Sequence, residues 1–356
     1  MTLKKFLSEK NIKIILYTLL CIFSVTLLLK FPLLSTEGIR RGLELCAGTM
    51  IPSLFPFLVI SSFAVSSGIL ELSGDKAENF FKKTIGLSPT AGMVVFFSLW
   101  SGFPVGCSMA SDLLSQNKIS ADEAKRIMLS SVNAGPAFVI CAVGTMMLSS
   151  LRAGVIIYAS LTLASLIITF ISQFVLPDCK EKNKTVSEPS DFSESLVTSV
   201  YCASKSMFSI CGWILLFSCF LNIASGKSEN ENISTILNAL AEVSLGCKSF
   251  AKSASPVILC AVIGWGGLCV HCQVLPFVRK SGLKLRYFFC GRILHSMLSS
   301  LICAGLVKIF PCDISVFSSG TTAVSQTFAV SAPAAAGLLI MCAIFVLDLD
   351  THKKMC

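Results

Sequence analysis

Long apolar runs are the feature that most constrains how this chain can fold. A helix needs about 20 apolar residues to cross the hydrocarbon core of a bilayer. Runs of that length, or close to it, are Ile12–Leu34, Met50–Leu70, Gly154–Leu176, Met207–Ala224, Phe288–Phe310 and Ala329–Leu349. Only 14% of the 356 residues are charged, whereas soluble domains have about 25%. The sequence therefore predicts an all-α, polytopic helical membrane protein that has the lipid bilayer as its main partner.

Most positive charges stand between the apolar runs. The net charge is +9, but the basic residues do not gather on one helix face, so we expect no nucleic-acid partner. Under the positive-inside rule, the acid-free segment 279–292 is expected to be cytoplasmic. Lys4 and Lys5 precede the first run, and no small-residue cleavage site follows it. This pattern predicts an uncleaved anchor helix with a cytoplasmic N-terminus.

A polar segment rich in charge and serine, residues 177–200, separates two similar halves. The stretch WSGFPVGC that begins at Trp100 has a counterpart, WGGLCVHC, that begins at Trp265. Downstream of each stretch, an Arg-Ile pair begins at Arg126 and at Arg292. We predict an anchor (1–36), a first membrane repeat (37–176), a linker (177–200) and a second membrane repeat (201–349). Repeated halves with interrupted helices are typical of transporters, many of which have inverted repeats, and we expect inversion here.

Glycine and proline interrupt the apolar segments at Trp100–Gly106 and at Asn133–Pro136. Between them, Ser120 and Glu123 have the spacing of a capping box, which predicts the start of a helix. Each interruption exposes backbone groups that lipid cannot satisfy, at a cost of several kcal/mol for each group. We therefore expect the two breaks to meet and to form one polar cavity. The alternative is that the small residues serve close helix packing and that Asn133 is an interhelical clamp.

The polar and small residues at these breaks, and at the matching break of the second half, are the candidate solute-binding residues. They are Trp100, Ser101, Gly102, Pro104, Gly106, Asn133, Gly135, Pro136, Gly266, Gly267, His271 and Gln273. Ionisable groups inside a membrane suggest function, so His271 and His295 are also candidates for proton handling. The competing interpretation is a packed histidine that makes one hydrogen bond.

The sequence offers little for enzyme or metal chemistry. Most of the 17 cysteines stand in apolar runs, where cysteine acts as a small apolar residue. The pair Cys269 and Cys272 lacks the second pair that a structural zinc site needs. Paired carboxylates and the common catalytic motifs are absent from the apolar runs. We expect no enzymatic activity, no cofactor and no metal.

Four short motifs carry a resemblance to a known family. They are PSLFPF (52–57), SGFPVG (101–106), KISADEAKR (118–126) and NAGPAFVICAVG (133–144). Over about residues 40–345 the chain resembles the YlbJ-type sporulation integral membrane proteins, which are grouped with the nucleoside-recognition (Gate) domain proteins. The resemblance implies a multi-pass protein of the bacterial inner membrane that is required for spore formation, with a nucleoside-like solute suggested by the family name only. Two functions follow: a transporter-like conduit for a small polar solute, or a structural or assembly protein of sporulation.

Overall fold

The structure is a computed structural model and describes residues 9–69, 75–176, 191–226, 231–251, 253 and 255–312. Regular secondary structure in these ranges is entirely helical, which confirms the predicted all-α class. The α-helices are α1 (Glu9–Lys30), α2 (Pro32–Leu45), α3 (Ile51–Ser66), α4 (Asp75–Ile85), α5 (Pro89–Ser101), α6 (Val105–Ser115), α7 (Ala121–Ser130), α8 (Leu151–Val175), α9 (Phe192–Ser225), α10 (Glu231–Ala241), α11 (Val243–Ala251), α12 (Pro256–Trp265), α13 (Gly267–Ser281) and α14 (Leu285–Ile309). Two π-helical segments complete the set, π1 (Cys46–Met50) and π2 (Ala137–Met147). The predicted run Ala329–Leu349 lies outside the described residues.

Several helices are long and apolar enough to cross a membrane. In the described ranges they are α1 from Asn11, α8, α9, α12 together with α13, and α14. The pair formed by α2–π1 and α3 makes a sixth candidate span, which is bent by 59°. None of the most apolar window of α1 is buried within the protein, so this helix is suited to a lipid environment on all sides. The chain is therefore a polytopic membrane protein.

Serine hydroxyls cap the N-termini of several helices. The Ser88 side chain accepts the Ala91 N–H at the start of α5, and Ser255 accepts the Ile258 N–H at the start of α12. At α7, the Ser120 hydroxyl accepts the Glu123 N–H while the Glu123 carboxylate accepts the Ser120 N–H. The predicted capping box is thus confirmed, and it satisfies donors that the first helical turn cannot.

The first half and the second half pack together through α2 and α9. A Cβ atom added to Gly38 would lie 2.6 Å from the Ser218 carbonyl oxygen, so the two backbones approach as closely as glycine allows. Asn222 of α9 fixes the crossing by donating to the Leu34 carbonyl over 2.7 Å. Because α9 begins at Phe192, the last part of the segment 177–200 is helical and not linker.

Four helices form a ring in which each one contacts the next. Going round the ring, α3 contacts α6, α6 contacts α13, α13 contacts α9, and α9 returns to α3. At one end of the ring, Lys280 at the end of α13 donates to the hydroxyl of Ser115 at the end of α6 over 2.5 Å. In the pair formed by α3 and α9, the hydroxyl of Ser66 at the end of α3 lies 3.0 Å from the hydroxyl of Ser199 near the start of α9. The ring positions the candidate site described next.

Candidate functional site

The two helix breaks predicted in the first half are present and touch each other. Helix α5 ends at Ser101, and Gly102 has a φ angle of +94°, which a residue with a side chain rarely adopts. Helix α7 ends at Ser130, and π2 starts only at Ala137. A Cβ atom added to Gly135 would lie 3.1 Å from the Trp100 carbonyl oxygen and 3.3 Å from the Gly102 nitrogen. The expectation that the breaks meet is confirmed.

A similar pair of breaks lies in the second half. Gly266 separates α12 from α13, which begins at Gly267, and the two glycines have φ angles of +85° and +77°. This break touches the interruption between α10 and α11, because a Cβ atom added to Gly267 would lie 3.0 Å from both the Ala241 oxygen and the Val243 nitrogen. In each half, one break thus follows a helix that begins with Ser-Pro and ends next to a glycine with a positive φ angle. The internal repeat itself stays a prediction.

Arg292 connects the breaks of the two halves. It lies inside α14 and is buried, so it does not belong to the basic loop in which the sequence analysis placed it. Its guanidinium donates to the Val132 carbonyl over 2.7 Å and to the Gly264 carbonyl, and its Nε lies 3.4 Å from the Trp265 carbonyl. These three carbonyls at the breaks are therefore satisfied from within the protein, as lipid surroundings require.

Two clefts lie inside the ring, and we call them the inner and the outer cleft. The inner cleft is lined by Met50, Leu54, Phe103, Pro104, Gly135, Phe138, Ile210, Ile214, Glu242, Val243, Ser244, Cys269, Val270 and Gln273. The outer cleft is lined by Leu58, Pro104, Val105, Ser108, Ser206, Ser209, Ile210, Gln273 and Phe277. Pro104, Ile210 and Gln273 belong to both linings, so the clefts adjoin at these residues.

The inner cleft is mainly apolar, so the prediction of a polar cavity at the first-half breaks is wrong. The amide N–H groups of Asn133 are used inside the protein, whereas its Oδ1 and the Ser131 hydroxyl are buried without a hydrogen-bond partner among the described residues. Asn133 donates to the Ser130 carbonyl over 2.9 Å and to the Ser165 hydroxyl over 3.1 Å, which links the break after α7 to α8. Asn133 therefore has the geometry of the interhelical clamp that was the alternative interpretation.

Three of the candidate residues line the clefts: Pro104, Gly135 and Gln273. The indole of Trp100 is 48% exposed and packs against Tyr158, away from both linings. Ser101 is buried, with its hydroxyl 2.6 Å from that of Ser61.

The other candidate residues are part of the breaks or pack against them, and they do not line the clefts. Gly106 packs against Ser98 and Ser131, Pro136 precedes π2, and Gly102, Gly266 and Gly267 form the turns themselves. The two histidines are enclosed by protein. His271 has Nε2 3.0 Å from the Trp265 carbonyl oxygen and its ring lies edge-on to Trp265, Phe288 and Phe289. His295 contacts the carbonyl oxygens of Gly264 and Leu161 at 3.2 and 3.1 Å.

Sequence reasoning missed Glu242, which lines the inner cleft and is 2% exposed. Its carboxylate accepts the Leu245 N–H over 2.7 Å at the start of α11. Within the described ranges it forms no ion pair. A single acid inside the apolar stretch 233–247 was the signal that could have identified it, since intramembrane carboxylates are functional candidates. Ser108, Ser206 and Ser209 of the outer cleft had no comparable signal.

The comparisons with known proteins agree with the fold. The chain is similar to the sporulation integral membrane protein YlbJ of Bacillus subtilis (strain 168), with 20% identity over 323 residues. The similarity covers 79% of this chain and 79% of that relative. No protein-family profile matches the chain, and no solved structure matches it.

Proposed function

Given that the chain is a distant YlbJ-type integral membrane protein, we propose that it acts in spore formation as a conduit for a small polar solute. Its place is the bacterial inner membrane, with the N-terminus and the basic segment after α13 in the cytoplasm. The relative is named for sporulation and for its place in the membrane.

The observation that carries the conduit is the pair of adjoining clefts inside four helices. Along α13 the linings progress from Cys269 through Gln273 to Phe277, and along α9 from Ile214 through Ile210 to Ser206. Residue numbers therefore rise along α13 and fall along α9 from the inner to the outer cleft, because the two helices are antiparallel. Both series of residues line the same path. The path leads from the helix breaks toward the end of α13, where the basic segment begins. Helix breaks beside a cavity are the usual construction of a transporter site.

A structural or assembly role is the second candidate. Arg292, Asn133 and the glycines at the breaks bind these segments firmly to one another, which suits a rigid scaffold as well as a transporter. Fold likeness alone does not separate the two roles. Functional measurements on the purified full chain separate the two roles.

The test uses two tryptophan substitutions on α9. Ile210→Trp fills the place where the clefts adjoin, whereas Leu216→Trp adds the same ring to a surface that is 46% exposed. Both full-length variants are reconstituted into liposomes and assayed for uptake of a panel of small amines, nucleosides and small acids. We expect the wild type and Leu216→Trp to take up a member of the panel and Ile210→Trp to have lost that uptake.

The same variants are then introduced into a spore-forming host that lacks the gene. Loss of mature spores with Ile210→Trp but not with Leu216→Trp supports the conduit. Equal uptake by both variants refutes it. Normal sporulation with Ile210→Trp, combined with uptake of no panel member by the wild type, favours the assembly role instead.

A further inference from the structure

We infer that the start of α14 is a binding site for an acidic phospholipid. The lipid phosphate contacts Lys284 and Arg286, and the acyl chains lie along the exposed apolar face of the same helix. Neither basic residue lines a cleft, and α14 is not part of the ring. The site therefore goes beyond the proposed path and would serve a conduit and an assembly protein equally.

Basic residues of both halves gather at the end of the protein where α13 meets α14. Lys280 donates to the Ser115 hydroxyl of α6 over 2.5 Å. A Cβ atom added to Gly282, in the turn between α13 and α14, would lie 3.6 Å from the Cε atom of Lys125 in α7. The loop between α6 and α7 and the turn between α13 and α14 therefore lie side by side, although they are distant in sequence.

The acidic side chains of α6 and α7 near this end have partners of their own. Asp122 forms an ion pair with Lys125 over 2.8 Å. Asp112 interacts electrostatically with Lys280. The Glu123 carboxylate accepts backbone N–H groups at the starts of α5 and α7. These three acids are therefore engaged with other groups and do not neutralise the basic residues that begin α14.

Lys284 and Arg286 are exposed at the start of α14, and neither forms an ion pair in the part of the chain that the structure describes. Their position does not stabilise the helix, because the N-terminal end of a helix dipole disfavours cations. The dipole and the two side chains instead favour an anion together. Lysine and arginine both donate charge-assisted hydrogen bonds to phosphate oxygens. This end of α14 therefore has the charge to hold a phosphate group.

An apolar stripe continues from these charges along α14. Tyr287, whose ring and hydroxyl contact Arg286, is followed on the same face of the helix by Leu294, Met297 and Leu301. All four of these side chains are exposed. Tyrosine is typical of the headgroup level of a membrane, and the apolar residues beyond it suit acyl chains. Charge and stripe together match an acidic phospholipid better than a free phosphate ion.

The experiment measures lipid binding to the full-length protein in detergent by native mass spectrometry. The probes are phosphatidylglycerol and phosphatidylethanolamine with identical acyl chains, which differ in net charge and share the same apolar body. Since two basic residues near the lipid contribute, we expect the first phosphatidylglycerol to bind about tenfold tighter than phosphatidylethanolamine. An excess of inorganic phosphate should not displace it, because phosphate has no acyl chains. Both comparisons use the wild type alone, so they do not depend on whether a variant folds.

Lys284→Gln combined with Arg286→Gln is the matching variant, because glutamine keeps part of each side chain and removes both charges. The control is Arg152→Gln combined with Lys308→Gln. It removes two exposed charges from the start of α8 and the end of α14, at the opposite end of the protein. We expect the first variant to bind the two lipids equally and the control to keep the wild-type preference.

Three results would overturn the inference. Equal binding of the two lipids by the wild type would leave these positive charges with a role in orientation only. An undiminished preference in the Lys284→Gln and Arg286→Gln variant would place the lipid elsewhere. Displacement of the lipid by inorganic phosphate would mean that the site takes a free anion. Solute uptake plays no part in the assay, so failure of the lipid site and failure of the conduit are distinguished.

Discussion

Two buried arginines hold the ends of membrane helices in place. Arg126 of α7 donates to the carbonyls of Ile85 and Gly86 and, over 3.1 Å, to the Ser172 hydroxyl of α8. Arg292 of α14 does the same for the carbonyls of Val132 and Gly264. A guanidinium has five N–H donors in a fixed plane, so it can satisfy several freed carbonyls at once. At the two matching positions, the same residue type thus performs the same task.

Removing the Arg292 guanidinium is expected to destabilise the protein strongly. Arg292→Met keeps much of the side-chain volume but leaves the Val132 and Gly264 carbonyls without their partner. Each buried unsatisfied group costs roughly 1–3 kcal/mol, so we expect a loss of about 2–6 kcal/mol for the two carbonyls. Thermal unfolding in detergent measures it, and Arg286→Met, which changes an exposed arginine of the same helix, is the control. Equal unfolding midpoints for both variants would show that the Arg292 guanidinium does not stabilise the breaks.

Gly135 lies where the first-half breaks touch, and alanine there is expected to impair function. Its Cβ atom would stand 3.1 Å from the Trp100 carbonyl oxygen, closer than side chains normally allow, so the break must shift. We expect several-fold slower solute uptake by Gly135→Ala and a loss of stability of about 1–3 kcal/mol. Gly212→Ala is the matched control, since no atom lies within 4 Å of its added Cβ. Unchanged uptake by Gly135→Ala would show that the contact is unimportant.

At the scale of helices, proline and glycine located the first-half breaks correctly, and the serine and glutamate spacing located the start of α7. The break between α10 and α11 was missed because the residues around Glu242 include neither glycine nor proline at the interruption. That interruption lies against Gly267, a contact between segments distant in sequence. Local signals cannot show such a contact, and Glu242 was missed with it.

The capping box is expected to stabilise more than one helix. Glu123 Oε2 accepts the Ser120 N–H over 2.9 Å, and Oε1 accepts the Ser88 N–H, also over 2.9 Å, at the start of α5. Ser120→Ala removes one cap and should cost about 1 kcal/mol. Glu123→Ala leaves buried donors of both helices unpaired and should cost more, about 1–3 kcal/mol.

Thermal unfolding in detergent checks this order. Asp122→Ala serves as control, because that residue forms only a partly exposed ion pair with Lys125. A smaller loss for Glu123→Ala than for Ser120→Ala would show that the bond to Ser88 contributes nothing.

At the scale of the whole molecule, the basic segment after α13 sets the orientation. Arg279, Lys280 and Lys284 follow one another without an acidic residue, which predicts a cytoplasmic location. A single cysteine at the exposed position Lys284, in a variant without the native cysteines, tests it. An impermeant thiol reagent should label this cysteine only after cells are opened. Labelling in intact cells would reverse the orientation and, with it, the side to which the outer cleft leads.

The most direct test of the conduit is whether water-soluble reagents enter the clefts. Single cysteines are placed at Ser209 of the outer cleft, at Gln273 where the clefts adjoin, and at Met297, which is 67% exposed in the middle of α14. The account predicts that a charged thiol reagent modifies the first two positions in inverted membranes and leaves the third, which faces lipid, unmodified. Failure to modify Ser209→Cys and Gln273→Cys, or equal modification of Met297→Cys, would contradict a solute path through the ring.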